Sequence, residues 1–245
     1  MPGAWEQGGD VDPATGAQRG VFIAVPTGGL PFVTINFAVG LSALVIETAQ
    51  AGIPTQTSIA KMYNIDQTRN SLIYSFLRRT SWSHLFFIDS DCVWPPGTII
   101  RLMSHNLPVC AGVVWNKNPR PPRGSGNTPA AWLHDWEKPD DPYAWKTIML
   151  ENPEGLYEVD WSCAAGVLIR RDALAAVKPP WCVYSHERDY DENGEPIKGF
   201  SEDHQMFTKL KAAGFPLVLD LGVRAKHSGM AEVGPDTGEM DWLGG

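Results

Sequence analysis

At 245 residues with 43% hydrophobic and 20% charged content, the chain can bury a sizeable core and is too apolar to be disordered. Lys and Arg number 20 against 28 Asp and Glu, so a net charge of −8 excludes a whole-molecule basic footprint for nucleic acid and leaves room only for a local one. No apolar run has membrane length, since Phe32 to Ala51 is broken by Asn36, Gly40, Ser42 and Glu47, and the polar N-terminus has no signal-peptide pattern. Cys92, Cys110, Cys163 and Cys182 form no C-x-x-C pair, which argues against a zinc or redox motif and fits reduced thiols in a cytoplasmic protein.

Residues 1–19, rich in Gly, Pro and Asp, read as a flexible lead-in. Val21 to Val25 is a strand ended by Pro26-Thr27-Gly28-Gly29. Thr34 to Gln50 has apolar residues at helical spacing, with Gly52 as its C-cap. Pro54 to Ala60 is a second strand, and residues 65–70 (Ile-Asp-Gln-Thr-Arg-Asn) lead into a helix with Leu72, Ile73, Phe76 and Leu77 on one face. Then come a strand at Leu85 to Ile88, a helix at Gly97–Ser104 and a strand at Val109 to Val114. Residues 116–158 are Pro-rich and lose periodicity, which reads as a functional loop holding Trp132, Trp136 and Trp145. Regularity returns with Tyr157 to Asp160, a strand from Gly166 to Arg171, a helix at Asp172–Val177, a helix from Glu202 to Ala213 and a strand at Leu217 to Leu221. Asp189 to Gly199 is charged and turn-rich, and 229–245 form an acidic tail. Strands alternating with helices indicate an α/β fold with a mostly parallel central sheet, one domain over 20–228 carrying an inserted loop.

The polar signals gather at strand ends. Leu85 to Ile88 reads as buried on both faces and runs straight into Asp89-Ser90-Asp91, with Pro95-Pro96 stopping it. In extended geometry the two carboxylates point to the same side, and such like charges call for a cation. Hard carboxylate oxygens suit Mg²⁺ or Mn²⁺ carrying a diphosphate. A plainer reading has Asp89 opening a turn and Asp91 capping the helix after Pro96, and Ser201-Glu202-Asp203 is also a good helix start.

The order of these signals resembles the GT-A nucleotide-sugar glycosyltransferases, family-2-like members of the kind found in bacteriophages, over roughly residues 20–228. It rests on the strand entering Asp89-Ser90-Asp91, the 65–70 segment before it, Ala165 to Arg171, and Ser201-Glu202-Asp203 with His227 downstream. The resemblance implies a Rossmann-related GT-A fold and a metal-dependent transfer from a nucleotide sugar, a UDP-sugar, to an acceptor hydroxyl with inversion. It implies that Pro26, Thr27 and Gly28 line the base and ribose, and that Arg69 and Asn70 hold the donor. Asp89 and Ser90 would lie near ribose and metal, Asp91 and His227 would ligate Mn²⁺ or Mg²⁺, and Glu202-Asp203 would be the acidic pair with Asp203 as base. A helix start would favour the ionised form of Asp203. His186 and His204 are left unassigned.

Two acceptor classes follow: a base such as 5-hydroxymethylcytosine in phage DNA, met by the basic loop 117–123 beside aromatic residues, or a glycan or protein. A nucleotidyltransferase and a non-catalytic nucleotide-sugar or DNA binding module are the other readings. Against the first stands the lack of a Gly-rich phosphate loop with a following Lys near the first strand. No membrane partner is expected, and the sequence is silent on oligomeric state.

Overall fold

Continuous apolar strands separated by amphipathic helices bury both faces only in a sheet covered on both sides. The computed structural model describes residues 11–28, 33–62, 64–115, 129–135, 137–138, 145–147, 154–184, 200–228, 231–233 and 241–242. The elements run β1 (Gln18–Pro26), α1 (Ile35–Gln50), β2 (Thr55–Ala60), α2 (Ile65–Arg79), β3 (Trp82–Ile88), β4 (Cys92–Val93), α3 (Thr98–Ser104) and β5 (Val109–Val113). They continue with β6 (Ala131–His134), β7 (Trp145–Thr147), β8 (Leu156–Val159), β9 (Trp161–Ser162), β10 (Gly166–Arg170), α4 (Arg171–Ala176), α5 (Glu202–Ala212) and β11 (Leu217–Arg224). Three short strands close the chain: β12 (Lys226–Ser228), β13 (Ala231–Val233) and β14 (Asp241–Trp242). None of the described helices is long and apolar enough to cross a membrane.

The main sheet has the order β2-β1-β3-β10-β5-β11-β8. Strands β2, β1, β3, β5 and β11 share one direction, while β10 and β8 run against their neighbours. This is the expected mixed α/β architecture with a mostly parallel sheet. Alternation along each strand divides the core in two. Phe22, Ala24, Leu85 and Phe87 face α2, α4 and α5, joining Ile73, Phe76, Leu174 and Phe207. Val21, Ile23, Phe86 and Ile88 face α1 and α3, joining Phe37, Leu44, Ile99 and Leu102.

The helix signals act as read. The Thr34 hydroxyl accepts from the Phe37 N–H at 3.1 Å, capping α1. Ser201 is the N-cap of α5, and Gly214 past its end has φ +88°, a left-handed conformation costly for a side chain with Cβ. The segment 65–70, expected as a lead-in, is itself the first turns of α2.

Several boundaries differ from the sequence reading. Within residues 11–19, buried Asp12 accepts from the Ala14 and Thr15 N–H groups, closing a turn, and β1 begins at Gln18. The stretch 116–158 contains β6 and β7; β6 pairs with both β7 and β9 in a three-stranded sheet. Beyond residue 228, β13 and β14 extend β12 into a four-stranded sheet that ends on β4.

Two devices shape the strand ends. Trp94 lies across β5 and β10 so closely that a Cβ on Gly166 would stand 1.7 Å from its ring, and one on Gly112 2.3 Å. Its indole N–H donates to the Ala165 carbonyl at 2.9 Å. In β11 the register slips between Asp220 and Arg224, and buried Asp220 anchors that bulge by accepting from Arg101 Nε at 2.6 Å and the Gly222 N–H at 2.9 Å.

Candidate active site

Parallel pairing of Ala24 with Phe87 brings Pro26-Thr27-Gly28 level with Asp89 at the carboxyl edge of the sheet. The antiparallel pairing of Gly166 with Ile88 brings Cys163, Ala164 and Ala165 to the same edge. Such edges are where open α/β sheets hold ligands.

The strand stops at Ile88. The Cys92 N–H donates to the Asp89 carbonyl at 3.0 Å, so Asp89-Ser90-Asp91 is a turn rather than the extended segment expected. The two carboxylates therefore take different partners. Asp89 accepts from Arg69 Nη2 through both oxygens, at 3.0 and 3.1 Å. The cation that Asp89 requires is thus a guanidinium of the chain itself. Asp91 instead meets His227: β4 and β12 pair with His227 opposite Cys92, and His227 Nε2 lies 3.6 Å from Asp91 Oδ1.

Among the described residues, Asp91, Cys92 and His227 form the one group of three ligand-type side chains whose atoms lie within 4.8 Å of one another. Asp89 does not join them within that distance. His227 Nδ1 is 2.7 Å from the Trp115 carbonyl, so its N–H donates there and Nε2 is the nitrogen that faces Asp91. An imidazole oriented through its second nitrogen in this way is the usual form of a metal-ligating His. Burial, reinforced by Asp89 and the neighbouring Cys163 thiol, pushes the Cys92 thiol well above 9.0, and its soft sulfur is a poor match for a hard cation. What remains, a carboxylate oxygen and an imidazole nitrogen, fits Mn²⁺ or Mg²⁺ that keeps other positions for phosphate oxygens and water.

Arg69 is the hub between the two halves of the site. It is 2% exposed; besides Asp89 it donates from Nε to Glu202 Oε1 at 3.1 Å and from Nη1 to the Ala164 carbonyl at 3.4 Å. Burial alone would lower its pKa, but Asp89, Glu202 and Asp203 hold it above the ordinary value. Expected as a donor-binding residue, it has every nitrogen committed to the protein. It ties the metal-side turn, through Asp89, to the start of α5.

At that start, Asp203 Oδ1 accepts from the His204 N–H at 2.8 Å and from the Ser201 hydroxyl. Burial pushes Asp203 and Glu202 above the usual carboxylate range; Ser201 and Arg69 oppose this at Asp203, and Arg69 opposes it at Glu202, without cancelling it. Desolvation therefore outweighs the helix-start preference for ionised Asp203.

The remaining donor-side residues are split. Thr27 is buried, and its N–H and hydroxyl both donate to the Ala60 carbonyl at 3.1 and 3.2 Å, while Gly28 turns the chain away at φ +56°. Ser90 lies in the turn between the two Asp residues. Asn70 points elsewhere: its Nδ2 donates to the Cys182 carbonyl at 2.6 Å, and its Oδ1 accepts from the Trp181 and Cys182 N–H groups. Asn70 thus pins the 181–182 segment. Gly29, Trp136, His186 and the basic loop 117–123 lie outside the described residues.

Sequence reasoning passed over the Trp115 carbonyl that orients His227, the bridging role of Arg69, and His204. No local pattern marks the first two: His227 and Trp115 are 112 residues apart, and Arg69 joins Asp89, 20 residues on, to Glu202, 133 residues on. The third had a signal: an imidazole one residue past an acidic pair at a helix start.

No family model matches this chain, and no curated protein matches it by sequence. Among solved structures it is similar to A197 from STIV, with TM-score 0.55 and 18% identity over 93% of this chain and 95% of that one. It also aligns with GalNAc-T7, whose structure contains UDP, GalNAc and Mn²⁺, at TM-score 0.46 and 12% identity over 85% of this chain and 44% of that one. A third alignment, with the inositol-1-phosphate CTP transferase from T. maritima, has TM-score 0.41 and 10% identity over 84% and 86% of the two chains. At these identities the likeness to A197 is one of fold.

Proposed function

We propose that this protein is a divalent-metal-dependent glycosyltransferase that moves a sugar from a nucleotide sugar, a UDP-sugar, to an acceptor hydroxyl with inversion at the anomeric carbon. The observation that carries the reading is the chain Asp91–Asp89–Arg69–Glu202–Asp203, which couples a carboxylate–imidazole pair to a buried carboxylate at one edge of the sheet. Asp91 and His227 would hold a divalent cation, which would supply charge neutralisation for the leaving diphosphate. Asp203 is the general base. Its Oδ1 is taken by Ser201 and the His204 N–H, so Oδ2 is the oxygen for the acceptor proton. The acceptor oxygen bonds to the anomeric carbon as the bond to the diphosphate oxygen breaks, and the proton goes to Asp203. A base with a raised pKa holds that proton more firmly than an ordinary Asp would. Arg69 and Glu202 are positioning residues that fix Asp203 relative to Asp89, while Pro26, Thr27 and Gly28 offer the rim of β1 to the base and ribose. The acceptor hydroxyl belongs to a hydroxymethylated base in DNA or to a glycan or protein.

The test is nucleoside diphosphate release from a panel of nucleotide sugars with Mn²⁺, repeated with excess chelator. The expected result is release from one donor that stops with chelator. Pyrophosphate release from a nucleoside triphosphate, with no turnover of any nucleotide sugar, would replace the reading with nucleotidyl transfer.

A further inference from the structure

Beside the acid pair lies a cluster of rings with polar atoms left over. Trp132 and Trp161 stack at 3.8 Å, and Trp145 meets Trp161 edge-on at 6.0 Å. His204 meets Trp145 edge-on at 5.0 Å, and Phe200 lies flat on the imidazole at 4.2 Å. Among the described residues, the indole N–H groups of Trp145 and Trp161 and both ring nitrogens of His204 are buried without a hydrogen-bond partner. His204 is 6% exposed and directly follows Asp203. A buried polar atom without a partner carries its full desolvation cost, and native folds keep such atoms few. Four in one cluster beside a reacting carboxylate are groups held ready for a ligand.

We propose that this cluster is the acceptor subsite and that it takes a neutral sugar ring, which displaces Phe200 from the imidazole. The proposal rests on the transferase reading for its word "acceptor", and on the cluster alone for its ligand. The chemistry matches: two indole N–H donors and an imidazole with one donor and one acceptor need a ligand rich in hydroxyls, which do both. The apolar face of a pyranose stacks on aromatic rings as Phe200 does now. His204 is neutral at pH 7, since burial lowers its pKa to about 4. The surrounding charge disfavours a phosphodiester strand. Asp135, Glu137, Glu158 and Asp160 flank the cluster, and the nearby Lys146 and Lys211 are already paired with them. A DNA backbone would meet an excess of carboxylates there.

The test uses the full chain and its Trp145→Phe/Trp161→Phe double variant, which keeps an aromatic ring at each position and removes two unpartnered N–H groups. Its far-UV circular dichroism is expected to match that of the parent protein. The probes are methyl glycosides of glucose, galactose and N-acetylglucosamine, read by saturation-transfer NMR, and a duplex oligonucleotide bearing 5-hydroxymethylcytosine, read by fluorescence anisotropy. Expected is binding of at least one glycoside by the parent protein, weakened about tenfold or more in the variant. Equal glycoside binding by both proteins, no glycoside binding by the parent, or duplex binding lost in the variant would each overturn the proposal. Binding is read without a donor, so a failure of the transferase reading leaves this result standing, and the reverse also holds.

Discussion

Asp203 and Arg69 illustrate opposite uses of burial. Asp203 is 8% exposed, and burial raises its pKa above the ordinary value of about 4. A carboxyl whose pKa is raised by folding weakens the fold while ionised, and the penalty fades as pH falls toward the ordinary value. Asp203→Asn is therefore expected to raise the melting temperature at pH 7, with the difference shrinking by pH 4. The same substitution should lower turnover by roughly 10²- to 10⁴-fold, the usual worth of a general base, and the acid limb of the wild-type pH–rate profile should lie above pH 4. Arg69 is the reverse case, a buried cation that two carboxylates need. Arg69→Ala leaves Asp89 and Glu202 without their shared partner and should cost about 3–5 kcal/mol in chemical denaturation. Arg69→Lys keeps the charge but loses the fork that reaches both acids, so it should recover only part of that stability.

Among the elements, the smallest ones build the site. The two-residue β4 and the three-residue β12 carry no periodicity of their own, yet their pairing brings His227 to Asp91. Trp94 follows β4 directly and is locked over Gly112 and Gly166, so the metal-side turn is held by packing on the main sheet. A Cβ at residue 166 would fall 1.7 Å from the Trp94 ring, inside any contact distance, and the obstacle is a packed indole rather than a flexible tip. Gly166→Ala should therefore destabilise the protein by about 1–3 kcal/mol or more and loosen the Asp91 turn, read as a lowered denaturation midpoint. The long elements were legible because burial on both faces leaves a continuous apolar run and a packed helix leaves apolar spacing. Helix α5 was also marked by Ser201 and its two acids. Strands β4, β6, β7, β9 and β12 were not legible, since pieces this short are fixed by partners elsewhere in the chain.

Across the whole molecule, the sequence located the acidic positions but not the charges that answer them. Asp89 was read as sharing a metal with Asp91, because two carboxylates at a strand end ask for a cation. The turn at Ser90 divides them, and the guanidinium of Arg69, 20 residues upstream, answers one. The pairing of Asp91 with His227 spans most of the chain and follows from the order of the sheets, which local spacing does not encode. The proposed function rests on that pair holding a divalent cation. The most direct measurement is a Mn²⁺ titration followed by electron paramagnetic resonance, with UDP present, of the parent protein, Asp91→Ala and His227→Ala. One bound Mn²⁺ in the parent, weakened about tenfold or more in each variant, is the expected result. Mn²⁺ binding unchanged when both side chains are removed would contradict it.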